Sequence, residues 1–194
     1  ILADKLYCIF SSDQHHLLRY SADGATWTAP ATTAPPTGLL GGADADANLD
    51  IIDGARLAYD GTNVVLALRD IDAGEVEVWK STNSGDTWTV VVTFASDTGP
   101  TGMVAYLDTD DTTVIYLATR DALWLVDIGT ATAERILPLN GNTYSGMRMV
   151  VHNGSLYIPI DNGNDSPFGM KKMTVVGGNR VYEDVGLDIT QGIP

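Results

Sequence analysis

Ser81-Thr82-Asn83-Ser84-Gly85-Asp86-Thr87-Trp88 stands between two apolar runs, Val76 to Lys80 and Trp88 to Phe94, and its residues are those of a tight turn. Ser and Asn side-chain oxygens accept bonds from turn amides, Gly tolerates φ > 0, and a Trp opens the next strand by burying a large ring. Ser21-Ala22-Asp23-Gly24-Ala25-Thr26-Trp27 carries the same chemistry with one residue fewer before its glycine.

Working outward from the two turns, four apolar strands superpose: Leu6 to Phe10, Val64 to Leu68, Ile115 to Thr119 and Leu156 to Ile160. Taking Leu6, Val64, Ile115 and Leu156 as equivalent gives separations of 64 − 6 = 58, 115 − 64 = 51 and 156 − 115 = 41. These lie near or above the roughly 40 to 50 residues of a four-stranded propeller blade. A first strand precedes each apolar strand, at Arg56 to Tyr59, Met103 to Leu107 and Met147 to Val151, with only the stub Ile1 to Ala3 in the first copy. Asp60-Gly61 and Asn153-Gly154 follow two of these, and both are strong hairpin signals because a type I′ turn needs φ > 0. Third strands are expected at Leu17 to Tyr20, Val76 to Lys80, Leu123 to Val126 and Met170 to Thr174. Fourth strands are expected at about Trp27 to Ala29, Trp88 to Phe94, Arg135 to Leu137 and Arg180 to Glu183. No stretch sustains a helical period, so the class is all-β.

The eight residues from Ser81 to Trp88 resemble the Asp-box, or BNR repeat, at every fixed position of Ser-x-Asp/Asn-x-Gly-x-Thr-Trp, and Ser21, Asp23, Gly24, Thr26 and Trp27 resemble a shortened copy. The resemblance implies a β-propeller of the sialidase and sortilin-like kind in fold, with Ser81, Asn83, Gly85, Thr87 and Trp88 in structural roles at the blade periphery. It does not imply an activity. The expected architecture is one propeller over residues 1–194, with four-stranded antiparallel blades near 1–30, 54–96, 101–140 and 145–185 and a long Pro/Gly-rich loop at 31–53. Four blades could close on themselves, but membership of a larger ring is the preferred expectation.

Eleven Lys+Arg against 25 Asp+Glu give a net charge of 11 − 25 = −14, a field that repels phosphate backbones, so nucleic acid is excluded as a partner. Cys8 is the single cysteine, which removes internal disulfides and cysteine-rich zinc sites. Apolar runs such as Val114 to Leu117 fall far short of the roughly 20 residues of a membrane helix, so no membrane insertion is expected.

Candidate chemistry is thin. Asp44, Asp46, Asn48 and Asp50 place oxygens at alternate positions as a calcium loop does, but Leu49 stands where that turn needs Gly and Ala55 where it needs the bidentate Glu. Asp161-Asn162-Gly163-Asn164-Asp165 is a weaker version of the same pattern. His15 and His16 are adjacent and point to opposite faces, and no zinc or phosphate-loop motif occurs. A sialidase would require an arginine triad and an Arg-Ile-Pro element. Arg135-Ile136-Leu137-Pro138 has an extra residue, and Arg19, Arg56, Arg69, Arg120, Arg148 and Arg180 are scattered along the chain. Among 25 acids, no one pair stands out as the two carboxylates of a glycosidase. Trp79 and Trp124, on third strands, suit packing between blades better than stacking on a sugar.

No catalytic residue and no cofactor is therefore assigned, apart from the calcium candidates. The Ala/Thr/Gly/Asp-rich style and the tail Asp184 to Pro194 resemble propellers in virion proteins of tailed bacteriophages. The leading expectation is a non-enzymatic structural or adhesion propeller, in a virion or outside the cell, with protein partners in an assembly, a glycan ligand, or self-association through exposed blade edges. The alternative is a glycoside hydrolase or sialidase-like domain whose site is completed by further blades.

Overall fold

The computed structural model describes residues 4–12, 15–29, 55–70, 74–96, 98–107, 113–139, 149–160 and 169–185. They form fourteen strands in four antiparallel sheets, each a contiguous stretch of chain. Sheet 1 pairs β1 (Leu6–Ser12) with β2 (His15–Ser21), and Thr28 adds one bridge to Tyr20. Sheet 2 is the meander β3 (Arg56–Tyr59), β4 (Val64–Asp70), β5 (Glu75–Ser81) and β6 (Thr89–Ala95). Sheet 3 repeats that order with β7 (Gly102–Leu107), β8 (Thr113–Ala118), β9 (Ala122–Asp127) and β10 (Thr132–Pro138). Sheet 4 does so with β11 (Val150–His152), β12 (Ser155–Ile160), β13 (Gly169–Val176) and β14 (Asn179–Val185).

The second strand of a sheet carries an unbroken apolar run because it is buried on both faces. In β4, Val64, Leu66 and Leu68 pack with Leu18 of sheet 1 and Trp88, while Val65 and Ala67 face the other way onto Ile115 and Leu117 of sheet 3. In β8 the alternation continues: Val114, Tyr116 and Ala118 pack on Leu156, Ile158 and Met173 of sheet 4. The four sheets are thus stacked face to face in chain order, with an apolar layer at each of the three junctions. Full burial of each such side chain contributes about 1.5–3 kcal/mol, so the second strands anchor the whole stack.

First strands of successive sheets lie side by side, β3 against β7 and β7 against β11. Polar ties cross the same junctions. Arg56 Nε donates to the Thr101 carbonyl at 2.8 Å, Tyr106 Oη donates to the Gly154 carbonyl at 2.7 Å, and Arg180 Nε donates to Tyr116 Oη at 3.0 Å. Meandering four-stranded sheets, stacked in order with their first strands adjacent, are the blades of a β-propeller segment, which is the fold class that the sequence predicts.

Two features depart from the sequence reading. The fourth strand of sheet 1, expected at Trp27 to Ala29, is reduced among the described residues to the bridge at Thr28. The shortened turn leaves Trp27 40% exposed, whereas Trp88 at the same step of sheet 2 is 4% exposed and anchors its strand. The second feature is a register shift in the outer strands of sheets 2 and 3, where Val91 and Ile136 are extra residues beside the Trp79 and Trp124 positions. Such bulges increase local twist, and their matching placement marks the two sheets as copies of one unit.

Candidate functional site

The turns between third and fourth strands gather at one end of the sheets. Ser81 Oγ accepts from the Gly85 amide at 2.8 Å and donates to Asn83 Oδ1 at 2.9 Å. Asn83 Oδ1 also takes the Thr87 amide at 2.9 Å, and Trp88 Nε1 closes the turn on the Gly85 carbonyl at 3.0 Å. Gly85 has φ 86°, which explains why glycine stands there. In the shorter turn Ser21 Oγ accepts from the Gly24 amide at 2.8 Å, and Asp23 Oδ1 accepts from the Thr26 and Ala25 amides, each at 2.8 Å. Those two amides, then the Ser21 hydroxyl, stabilise the carboxylate and lower the Asp23 pKa to about 2.

Sheet 3 has a related turn that the sequence reading missed: Asp127 Oδ1 takes the Gly129 amide at 2.7 Å and the Thr130 amide at 3.1 Å, and Ile128 is buried beneath it. The available signal was Asp127 two residues before a glycine, the spacing of an Asx turn. In sheet 4 the turn is a plain hairpin with Gly177 and Gly178 at φ 57° and 77°.

The longer turn is also occupied from outside its own sheet. Lys5 Nζ donates to the Ser84 carbonyl at 3.2 Å, Tyr20 Oη donates to Asp86 Oδ1 at 3.3 Å, and the Tyr7 ring covers Gly85. Lys5 lies 4.0 Å from the centre of the Tyr20 ring. These contacts tie the turn to the neighbouring sheet, so this end helps to build the stack.

The opposite end, where first and third strands begin and second and fourth strands finish, carries a different set. Asp121, in the turn between β8 and β9, accepts through Oδ1 from Thr119 Oγ1 at 2.7 Å and Thr98 Oγ1 at 3.2 Å. Arg135 reaches it from β10, with Nη2 3.1 Å from the Asp121 carbonyl and 3.6 Å from Oδ2. Thr98 Oγ1 also accepts the Arg120 amide at 3.0 Å, and Trp124 Nε1 donates to Thr119 Oγ1 at 3.2 Å. Across the junction Arg56, at the start of β3, donates to the Thr101 carbonyl, and Arg69 lies near the end of β4. This end combines fixed guanidinium, hydroxyl and carboxylate groups, the donor and acceptor types that sugars require.

Asp44, Asp46, Asn48 and Asp50 lie outside the described residues, as do Arg148 and the stretch 161–165. Among the described residues no group of three His, Cys, Asp or Glu side chains could hold a metal ion. His152 is exposed at the end of β11. Trp124 packs on Phe94 of sheet 2 at 4.2 Å between ring centres, and Trp79 packs against the cluster of Leu18, Val64, Leu66 and Trp88 between sheets 1 and 2, so both serve the stack. No helix among the described residues is long and apolar enough to cross a membrane.

No family model and no curated protein matches the chain. Solved structures do match its fold. An exo-beta-1,3-galactanase from Phanerochaete chrysosporium, solved with beta-1,3-galactotriose, superposes with a TM-score of 0.54 at 13% identity over 95% of this chain and 48% of that one. A GH43 protein from Bacillus licheniformis gives 0.52 at 14% identity over 97% of this chain and 40% of that one. At this identity the likeness establishes the propeller fold, and the chain spans less than half the length of either structure.

These neighbours correct the leading functional expectation. A non-enzymatic structural, virion or adhesion propeller is overturned by fold neighbours that are glycoside hydrolases. The physical reason is that the two turns report only how a sheet closes, and a residue style rich in Ala, Thr, Gly and Asp reports only solvated surface. Neither bears on chemistry at the far end of the sheets.

Proposed function

We propose that the chain is part of a glycoside-hydrolase propeller whose sugar-facing end is the one bearing Arg56, Arg69, Asp121 and Arg135. The reading is carried by the fold shared with the galactanase and the GH43 protein, combined with the gathering of fixed polar groups at a single end of the sheets. The two turns with Ser21 and Ser81 at their heads, read as Asp-boxes on the strength of their hydrogen bonds, belong to the opposite end and serve architecture.

Glycoside hydrolysis needs two carboxylates flanking the scissile bond, about 5–5.5 Å apart for retention or about 6.5–9.5 Å for inversion. Asp121 is an anchoring group in this scheme: its carboxylate is engaged by the hydroxyls of Thr98 and Thr119 and by Arg135. Its task is to fix the turn between β8 and β9 against the loop that precedes β7.

The test is turnover by the purified protein. Beta-1,3-galacto-oligosaccharides, xylo-oligosaccharides and a panel of aryl glycosides would be incubated with it and the products separated by chromatography. Release of sugar is expected. Failure to cleave every member of the panel by a protein that unfolds cooperatively would sink the proposal.

A further inference from the structure

Three apolar layers join the four sheets, and the stack leaves two broad faces over: the face of sheet 4 turned away from sheet 3, and the face of sheet 1 turned away from sheet 2. On sheet 4, Leu156 and Ile158 pack on sheet 3, so by strand alternation Tyr157 points the other way. The register sets Val150, Lys172 and Glu183 in one row with Tyr157. Ser155, Thr174 and Val181 form the next row. Val150 is 53% exposed and Val181 42%. On sheet 1, Tyr7 and Leu18 face sheet 2, so Leu6 faces away. Leu6 is 37% exposed and lies beside Gly24, where an added methyl group would stand 3.5 Å from its Cδ1.

These two faces match each other as sheets 1 and 2 do. Tyr157 with its cross-strand partner Lys172 occupies the place that Tyr7 with Tyr20 occupies in sheet 1. There Tyr7 covers Gly85 of the next sheet's turn, and Tyr20 donates to Asp86 of the same turn. Gly24 is the counterpart of Gly85, since each amide donates to the serine that heads its turn, and beside Gly24 stands the exposed carboxylate of Asp23. Laid on sheet 1 in the register of the existing junction, sheet 4 sets the Tyr157 ring over Gly24 and brings the Lys172 ammonium to Asp23. Opposite charges so placed fix register and orientation. Trp27, 40% exposed, then gains the kind of cover that Trp88 takes from Leu18.

Within one molecule, among the described residues, no apolar layer joins sheet 4 to sheet 1. The free face of sheet 4 also differs from the junctions inside the chain, which are apolar layers. Lys172 pairs with Glu183 at 3.2 Å, and the Ser155 and Thr174 hydroxyls share a hydrogen bond of 2.9 Å. Apolar side chains mixed with polar groups that are already satisfied characterise the surfaces of molecules that associate but also exist apart.

We infer that the sheet 4 face bearing Tyr157 and Lys172 docks on the sheet 1 face, bearing Leu6 and Gly24, of a second copy of this chain. The contact is head to tail: it joins two different patches, and it propagates into a ring or a row of copies. It stands independently of the glycoside-hydrolase reading.

Sedimentation of the intact protein from about 1 μM to about 1 mM, the span of weak reversible complexes, should show association that rises with concentration. Tyr157→Glu, which sets an acid against Asp23, and Leu6→Glu should each weaken it about ten-fold or more. Mixed in equal amounts, the two variants should form a dimer and nothing larger, because each keeps the face that the other has lost. Both should retain the cooperative thermal transition of the wild type; where one does not, Lys172→Glu or Trp27→Gln, on the same two faces, takes its place. A wild type that stays monomeric throughout the range overturns the inference. So does association that Leu6→Glu leaves intact, which would be sheet 4 meeting sheet 4, and so does a mixture of the two variants that stays monomeric.

Discussion

Tyr7 of β1 rests against Gly85 of the β5–β6 turn so closely that a methyl group on Gly85 would lie 2.6 Å from Tyr7 Cε1. The contact joins two sheets through a turn, and it makes glycine obligatory on two counts, space and a φ of 86°.

Gly85→Ala should therefore destabilise the protein by roughly 2–4 kcal/mol, the sum of a left-handed alanine and an overpacked junction. Urea unfolding measures it. Pairing the change with Tyr7→Ala should recover the overpacking part alone, because the backbone part does not depend on the ring. Full recovery in the double variant would show that the backbone is unstrained.

Ser81 and Ser21 head the two turns with the same bonds, but only the first turn has a covered amide to lose. Ser81→Ala strands the Gly85 amide, whose hydrogen bond to Ser81 Oγ is buried, and should cost about 1–3 kcal/mol. Ser21→Ala leaves the Gly24 amide near water in an exposed turn, so its cost should be under about 1 kcal/mol. Equal losses in thermal unfolding would refute the difference in burial.

At high pH the junction should fail through Tyr7. Burial first, then Tyr20 and Tyr59, raises its pKa from 10.0 to about 12. The folded state holds the phenol neutral beyond the range of the unfolded chain. That contribution is fully present below pH 10 and is lost as pH rises from there to about 12. Tyr7→Phe should flatten this alkaline loss, and it should cost nothing at pH 7 because the hydroxyl it removes is buried without a partner. The check is the unfolding midpoint measured at intervals from pH 8 to pH 12.

Acid acts on the other turn. The Asp23 pKa is lowered from 3.8 to about 2, so its contribution is present above pH 3.8 and drains away as pH falls towards 2. Asp23→Asn should remove that dependence while keeping an acceptor for the Ala25 and Thr26 amides. Carboxyl resonances followed by NMR through an acid titration would read the Asp23 midpoint directly, and an ordinary value near 3.8 would contradict the hydrogen-bond account.

The strands were legible because each is specified by adjacent residues: Val64 to Leu68 is apolar at every position and can only be a strand buried on both faces. The turn at Asp127 was less so, since Asp-x-Gly carries its meaning only once β9 and β10 are known to flank it. The polar end was hardly legible at all. Arg56 and Arg69 looked scattered because their proximity depends on hairpin register, and Asp121 gathers Thr98 and Arg135 from either side of it in the chain. Chemistry assembled by register and stacking leaves no mark in any one window of sequence. The turns are the reverse case: conspicuous in sequence and silent about activity, which is why they supported a non-enzymatic reading that the fold neighbours overturn.

Each sheet is drawn from one unbroken stretch of chain and takes its main partners from the stretches just before and after it. In genetic terms the protein is modular: a segment encoding one sheet can be duplicated or deleted without rethreading the others, since a new sheet needs only two apolar faces and a first strand to lay beside its neighbour's. Such a lineage would change its number of sheets more readily than the order of strands within one. Variation in ligand would then collect at the polar end, where the junctions between modules, and not the modules themselves, bring the side chains together.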